Sequence, residues 1–240
     1  MARLHDCIVS QILENKYIFM IELLKTHLQN KDVDQAILLL ADHPEVLYLK
    51  DDNKSSCFMI IAYSGLDEVF EKALELKEVF SFHEAIAAGK KDILNEYLEQ
   101  SSPNLINTHS SDGFTPLSLA AFFNRVDLAK LLLEHGADPN LSATNPSKVN
   151  ALHAAVAKEN VELCKLFLEN GGDPDAVQMQ HVTALHSAVH RGNLDLTKLL
   201  VEKGATIASK MDNGDTALLI ANREGHAKIE AYLREKLKEL

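Results

Sequence analysis

The 240-residue chain has no apolar run long enough to cross a bilayer. Its most apolar stretches, Tyr17 to Leu24 and Ile37 to Leu40, are short and followed by charge, so no membrane span is expected. The opening Met1-Ala2-Arg3-Leu4-His5-Asp6-Cys7 sets an acid where a signal peptide would begin its apolar core, and Glu14, Asn15 and Lys16 break the next stretch of chain. The expected compartment is the cytoplasm. Cysteine is scarce: Cys7, Cys57 and Cys164 are odd in number and not closely spaced, which argues against a disulfide framework and a CxxC metal site. They read as reduced thiols in helices. With a formal net charge of −11 and no dense block of Lys or Arg, the chain lacks a nucleic-acid footprint; basic or neutral protein partners suit it better. A Gly-rich phosphate loop, a GxSxG elbow and an HExxH run are also missing, so neither enzyme activity nor a cofactor or metal is expected.

What the chain does have is self-similarity. Thr115-Pro116-Leu117-Ser118-Leu119-Ala120-Ala121, Asn150-Ala151-Leu152-His153-Ala154-Ala155-Val156, Thr183-Ala184-Leu185-His186-Ser187-Ala188-Val189 and Thr216-Ala217-Leu218-Leu219-Ile220-Ala221-Asn222 are versions of one heptapeptide, starting 35, 33 and 33 residues apart. The first three are followed by second blocks, Val126 to Leu133, Val161 to Leu168 and Leu194 to Val201, with apolar residues at helical spacing. Gly136-Ala137-Asp138-Pro139-Asn140, Gly171-Gly172-Asp173-Pro174-Asp175 and Gly204-Ala205-Thr206 then stop those helices. Small residues such as Ala120 and Ala188 let first helices approach closely, the Leu-rich second helices supply bulk, and neither helix can bury its apolar side without a neighbour.

In these motifs the sequence resembles the ankyrin-repeat family, whose unit is a turn and two antiparallel helices with a T-P-L-H-x-A signature. The resemblance implies an all-α solenoid of about five to six units with helical caps at both ends. Residues 1–53, with helical patterns near 3–14, 16–29 and 32–41, are expected to form an N-terminal cap. The repeat domain is expected over 54–240, with units near 54–78, 79–112, 113–147, 148–180, 181–213 and 214–240. The polar surface of Ala227 to Leu240 suits a C-terminal cap. The unit at Phe80-Ser81-Phe82-His83-Glu84-Ala85 starts only 24 residues after Ser56, so the usual hairpin is expected to be missing there, with altered stacking near Lys77 to Val79. Two extra residues are expected in the linker around Ser102-Pro103.

His83, His153 and His186 are read as holding the signature histidine position, where the family uses the imidazole to bridge units. His186 and His190 have i, i+4 spacing, but the repeat already accounts for His186. Asp51-Asp52 reads as solvated loop charge. Asn140, after Leu133 and Asp138, resembles family asparagines that oxygenases hydroxylate, although turn geometry explains it equally.

The family holds protein partners on the concave side of the first helices, just before the Gly that ends each one, and at the hairpin tips. Carried over, these positions are Ala87 and Ala88, Phe122 and Phe123, Ala157 and Lys158, His190 and Arg191, and Arg223 and Glu224. Phe122-Phe123 stands out because adjacent helix residues point about 100° apart and cannot share one buried face. At least one ring is expected on the surface as an anchor. Lys158, His190, Arg191 and Arg223 read as a basic ladder suited to an acidic segment. Tip candidates are Phe114, Lys148, Met179, His181 and Met211, and the tip at 141–149 is the longest.

The expected function is a monomeric, non-catalytic protein-binding scaffold, adaptor or inhibitor. The divergent repeats and the loops Pro44-Glu45-Val46-Leu47 and Pro103-Asn104-Leu105-Ile106 also resemble ankyrin proteins that intracellular bacteria deliver into host cells, and the Arg234–Leu240 tail is compatible with a delivery signal. That gives a second reading as a secreted effector. An enzyme with its site in residues 1–53 is the reading of another class, but that segment has no convergent nucleophile, base and oxyanion groups.

Overall fold

A computed structural model describes residues 2–100 and 105–239, with side chains from residue 14 onward. The Ser102-Pro103 linker and the side chain of Cys7 lie outside the described residues. The chain forms two compact units, Met1–Ala88 and Gly89–Leu240, here units 1 and 2.

Unit 1 contains α1 (Ala2–Gln29), α2 (Val33–Asp42), a 3-10 turn (Pro44–Tyr48), α3 (Cys57–Ser64), α4 (Asp67–Leu76) and α5 (Phe82–Ala88). The two helices expected over 3–14 and 16–29 are one continuous helix. Glu14, Asn15 and Lys16 interrupt the apolar pattern but include no Pro or Gly, so nothing breaks the backbone ladder. The chain turns at Lys31 (φ 56°), and Asp32 caps α2 by accepting the Gln35 N–H. Helix α1 packs on α2 and α3, α2 on α4, and α3 on α4 and α5. Residues 1–53, which lack the heptapeptide, thus still supply a helix pair that packs against its neighbour pair.

The loop from Lys50 to Ser56 closes as a bridge between those residues, as Lys210 and Thr216 do in the last repeat. Asp51 organises it. Its Oδ1 accepts the Asn53 and Ser55 N–H groups, both at 3.0 Å, and Oδ2 lies 3.2 Å from Lys25 Nζ. The Asp51 side chain is only 7% exposed, which corrects the reading of solvated charge: its oxygens satisfy a turn instead of facing water. Between α4 and α5 only residues 77–81 intervene, and they form no hairpin.

Unit 2 contains α6 (Lys91–Gln100), a 3-10 turn (Leu105–Asn107), α7 (Pro116–Phe122), α8 (Val126–Glu134), α9 (Ala151–Ala157), α10 (Val161–Glu169), α11 (Ala184–His190), α12 (Leu194–Glu202), α13 (Ala217–Arg223) and α14 (Ala227–Glu239). First helices α7, α9, α11 and α13 pack in one row, and second helices α6, α8, α10, α12 and α14 in another. Buried Ala120, Ala121, Ala154, Ala155 and Ala188 allow the close approach in the first row, while Leu128, Leu132, Leu163, Phe167, Leu196 and Leu200 fill the space between rows. The fold is all-α; the sheet among the described residues is one two-residue antiparallel pair, β1 (Val177–Gln178) with β2 (Val182–Thr183).

Each first helix of the heptapeptide series starts with a side-chain cap: Thr115, Asn150, Thr183 and Thr216 accept the N–H three residues on. In Thr183-x-x-His186 the box is reciprocal. His186 Nδ1 accepts the Thr183 N–H at 3.1 Å, which leaves Nε2 to donate to Ser209 O at 3.0 Å in the loop before the next unit. In the earlier unit the box is Ser81 with Glu84, whose Oε2 accepts the Ser81 N–H at 2.9 Å. This corrects the placement of His83: Glu84 holds the signature position, and His83 lies one residue before it.

Candidate functional site

The first helices of unit 2 end on a shared edge, because the residue after each C-cap takes a left-handed conformation and turns the chain back. Asn124 (φ 58°) and Glu159 (φ 53°) do this without glycine. The cap residues stand just before that turn.

At the end of α7, Phe122 is 38% exposed and Phe123 half-buried. Their rings meet edge to face, with centroids 5.1 Å apart and planes at 84°. Lys158, from the end of α9, sets its Nζ 4.2 Å from the Phe122 centroid, an ammonium over an aromatic face. The expected exposed ring is therefore Phe122, held by two neighbours.

Further along the row the basic side chains have acidic company. Arg191 Nη1 lies 3.9 Å from Glu159 Oε1, and His190 Nδ1 lies 3.7 Å from Glu224 Oε1. Arg223 donates from Nη1 to Asp215 Oδ2 at 2.6 Å and from Nε to Glu224 Oε1 at 3.4 Å. The hydrogen bond from Arg223, with its charge and a bond from Asn213, holds the Asp215 carboxyl below its usual range. Arg191 and Arg223 thus stand in ion pairs, a feature hidden from the sequence because Asp215 is eight residues from Arg223 and Glu159 thirty-two from Arg191.

His190, Arg223 and Met211 line one cleft of about 270 Å³, with Val182, His186 and Ile220 beside them. At the tips, Met179 is 54% exposed, and His181 is exposed with Nδ1 2.6 Å from Asp212 Oδ1. Gln180 (φ 65°) and His181 (φ 53°) both hold left-handed backbone without glycine, local strain of the kind that structures keep at working loops. The tips are tied together: Thr144 N–H donates to Gly113 O, Met179 N–H to Ser147 O, and Asp212 N–H to Gln180 O. The long 141–149 tip is thus bound on both flanks. Lys148 is exposed within it, whereas half-buried Phe114 closes a turn with Ser110. Phe122, Phe123 and Lys158 form one cluster, and His190, Arg223 and Met211 another.

Both ring nitrogens of His186 are engaged, so the i, i+4 pair with His190 does not present two ligands to a metal. Among the described residues no group of three metal-donor side chains comes together. Burial lowers the His186 pKa and pushes that of His153 down to about 4. His153 Nδ1 lies 2.7 Å from Asn150 Oδ1, and its Nε2 faces the Ala176 and Val182 backbone without a well-directed hydrogen bond. Burial drives the Cys57 and Cys164 thiols up to about 12, far from a reactive thiolate. Asn140 bridges neighbouring repeats of unit 2 with its whole amide: Oδ1 accepts the Asp173 N–H at 2.7 Å and Nδ2 donates to Gly171 O at 2.9 Å.

Sequence reasoning missed a cluster in unit 1 built on Lys77 and Glu84. The Ser81-x-x-Glu84 pattern could have signalled half of it, since a serine followed three residues on by glutamate forms a capping box. Lys77 carries no such pattern.

The family described as ankyrin repeats (3 copies) matches residues 82–178 and 152–239, about two thirds of the chain. The chain belongs to the ankyrin-repeat family. It is also similar to a human protein, the DNA-binding protein RFXANK, with 41% identity over 63 residues, which is 26% of this chain and 24% of that one. The chain thus matches about a quarter of that relative's length. No helix among the described residues is long and apolar enough to cross a membrane.

Proposed function

We propose that this chain is a non-catalytic adaptor or inhibitor, acting in the cytoplasm as a monomer and holding a protein partner on the first-helix ends and hairpin tips of unit 2. Membership of the ankyrin-repeat family supports a protein-binding scaffold in general terms. The observation that carries the site is Phe122, an exposed ring clamped edge-on by Phe123 and capped by Lys158. A preorganised aromatic anchor gives up little side-chain freedom on binding and takes a large share of interface energy. The human relative is named as DNA-binding, but a net charge of −11 here disfavours direct contact with phosphates and favours protein. The second reading, an effector delivered into a host cell, is supported by the hairpin-free α4–α5 link, a departure from the regular unit that such proteins share.

The test is an affinity pull-down from cell lysate comparing the native chain with Phe122→Ser/Phe123→Ser, helicity being checked by circular dichroism. Loss of a partner with helicity kept supports the anchor; retention of every partner at native yield overturns it.

A further inference from the structure

The five-residue link between α4 and α5 replaces a hairpin, and the tip-to-tip hydrogen bonds that join repeats in unit 2 have no counterpart there. Something else must fix where α5 sits on α3. Lys77, the C-cap of α4, has extended backbone (φ −91°, ψ 119°), and its side chain is only 2% exposed. Its ammonium lies 4.0 Å from the Tyr48 ring centroid, 5.5 Å from that of Phe58 and 5.9 Å from that of Phe80. It donates to Leu47 O at 3.0 Å and lies 3.5 Å from Glu84 Oε1.

The carboxylate is used as fully. Glu84 Oε1 accepts from Ser56 Oγ at 2.6 Å, and Oε2 accepts from both the Ser81 N–H and its Oγ. One buried ion pair therefore joins three helix ends: Ser56 at the start of α3, Lys77 at the end of α4 and Ser81 at the start of α5. The Tyr48 hydroxyl accepts the Glu78 N–H at 3.0 Å and ties the link from outside.

We propose that Lys77 is a latch: its ammonium, enclosed by aromatic rings and paired with Glu84, fastens α5 to α3 and sets the register that a hairpin sets elsewhere. Burying two charges adds little net stability over an apolar pair of the same shape, but a buried charge tolerates only the geometry that satisfies it. The pair is therefore a device for position. Breaking it strands the other charge and releases α5 as a local unit, without unfolding the rest of the chain.

Hydrogen exchange with mass spectrometry on the full chain tests this with Lys77→Met and Lys77→Met/Glu84→Gln. The single variant is expected to raise exchange over 78–88 by at least about tenfold, with α8 to α12 within about threefold of native, and the double variant to bring 78–88 back to within about threefold. The latch is overturned by native protection over 78–88 in Lys77→Met, by loss of protection in α8 to α12 equal to that in α5, or by a double variant as exposed as the single one. Should Lys77→Met lose all helicity, the loss is global and the local latch is overturned.

Discussion

Unit 1 and unit 2 are each held together internally, and in opposite ways. In unit 2 one link recurs at the repeat period: Asn107 Oδ1 accepts the Asp138 N–H, Asn140 Oδ1 the Asp173 N–H, and Asp175 Oδ1 the Thr206 N–H. In unit 1 the links are single and unlike each other: Lys25 with Asp51, Lys77 with Glu84, and the Phe58 ring centroid 5.6 Å from that of Phe70 and, edge to face, 5.4 Å from that of Phe80. Repetition spreads stability over many equivalent small terms, whereas an irregular segment gathers it in few residues. Substitutions should therefore be felt more sharply in unit 1 than at repeated positions of unit 2.

The sharpest break is Phe58→Ala. The ring is fully buried, and its loss leaves a cavity that also opens the Lys77 cage, so a cost of about 3–5 kcal/mol is expected. Urea denaturation of the full chain measures it. Acid should single out the other region, because the buried histidines among the described residues, His153 and His186, lie in unit 2. Burial holds both neutral by lowering their folded pKa below the unfolded value of 6.5. Their contribution is complete above pH 6.5 and is lost as pH falls towards and through the folded values, about 4 for His153. For His153 the full loss is on the order of 3 to 4 kcal/mol. Urea midpoints between pH 7.5 and 4 should fall less steeply for His153→Gln than for the native chain. Thr183→Ala removes one cap among several and is expected to cost about 1 kcal/mol by the same titration.

The smallest effect compares the two bridged loops. Lys54 (φ 64°) stands where Gly214 (φ 84°) stands in the matching loop of unit 2. Lys54→Gly should change stability by less than about 1 kcal/mol, in the stabilising direction, while Gly214→Lys should lower it by about 1 kcal/mol. Thermal melts of the two variants check both signs.

The repeats were legible because their physics is periodic: Thr115, Asn150, Thr183 and Thr216 announce helix starts, and the alanines after them announce close packing. Phe122 was legible too, since two adjacent rings point about 100° apart and cannot share one buried face. The ion-pair row and the unit 1 cluster were not, because both depend on side chains brought together from distant positions. Asp51 was misread for the same reason: its partner, Lys25, lies on α1. His83 was misread because a one-residue shift in a helix start is invisible until the cap is seen, and the cap is Glu84.

The side-chain bridges of unit 2 have a mechanical consequence. Each joins only a repeat and its successor, and Asn140 spends both ends of its amide on that junction. Pulled from its two ends, unit 2 is expected to lengthen in a staircase, each step releasing about one 33-residue repeat, instead of yielding in a single rupture.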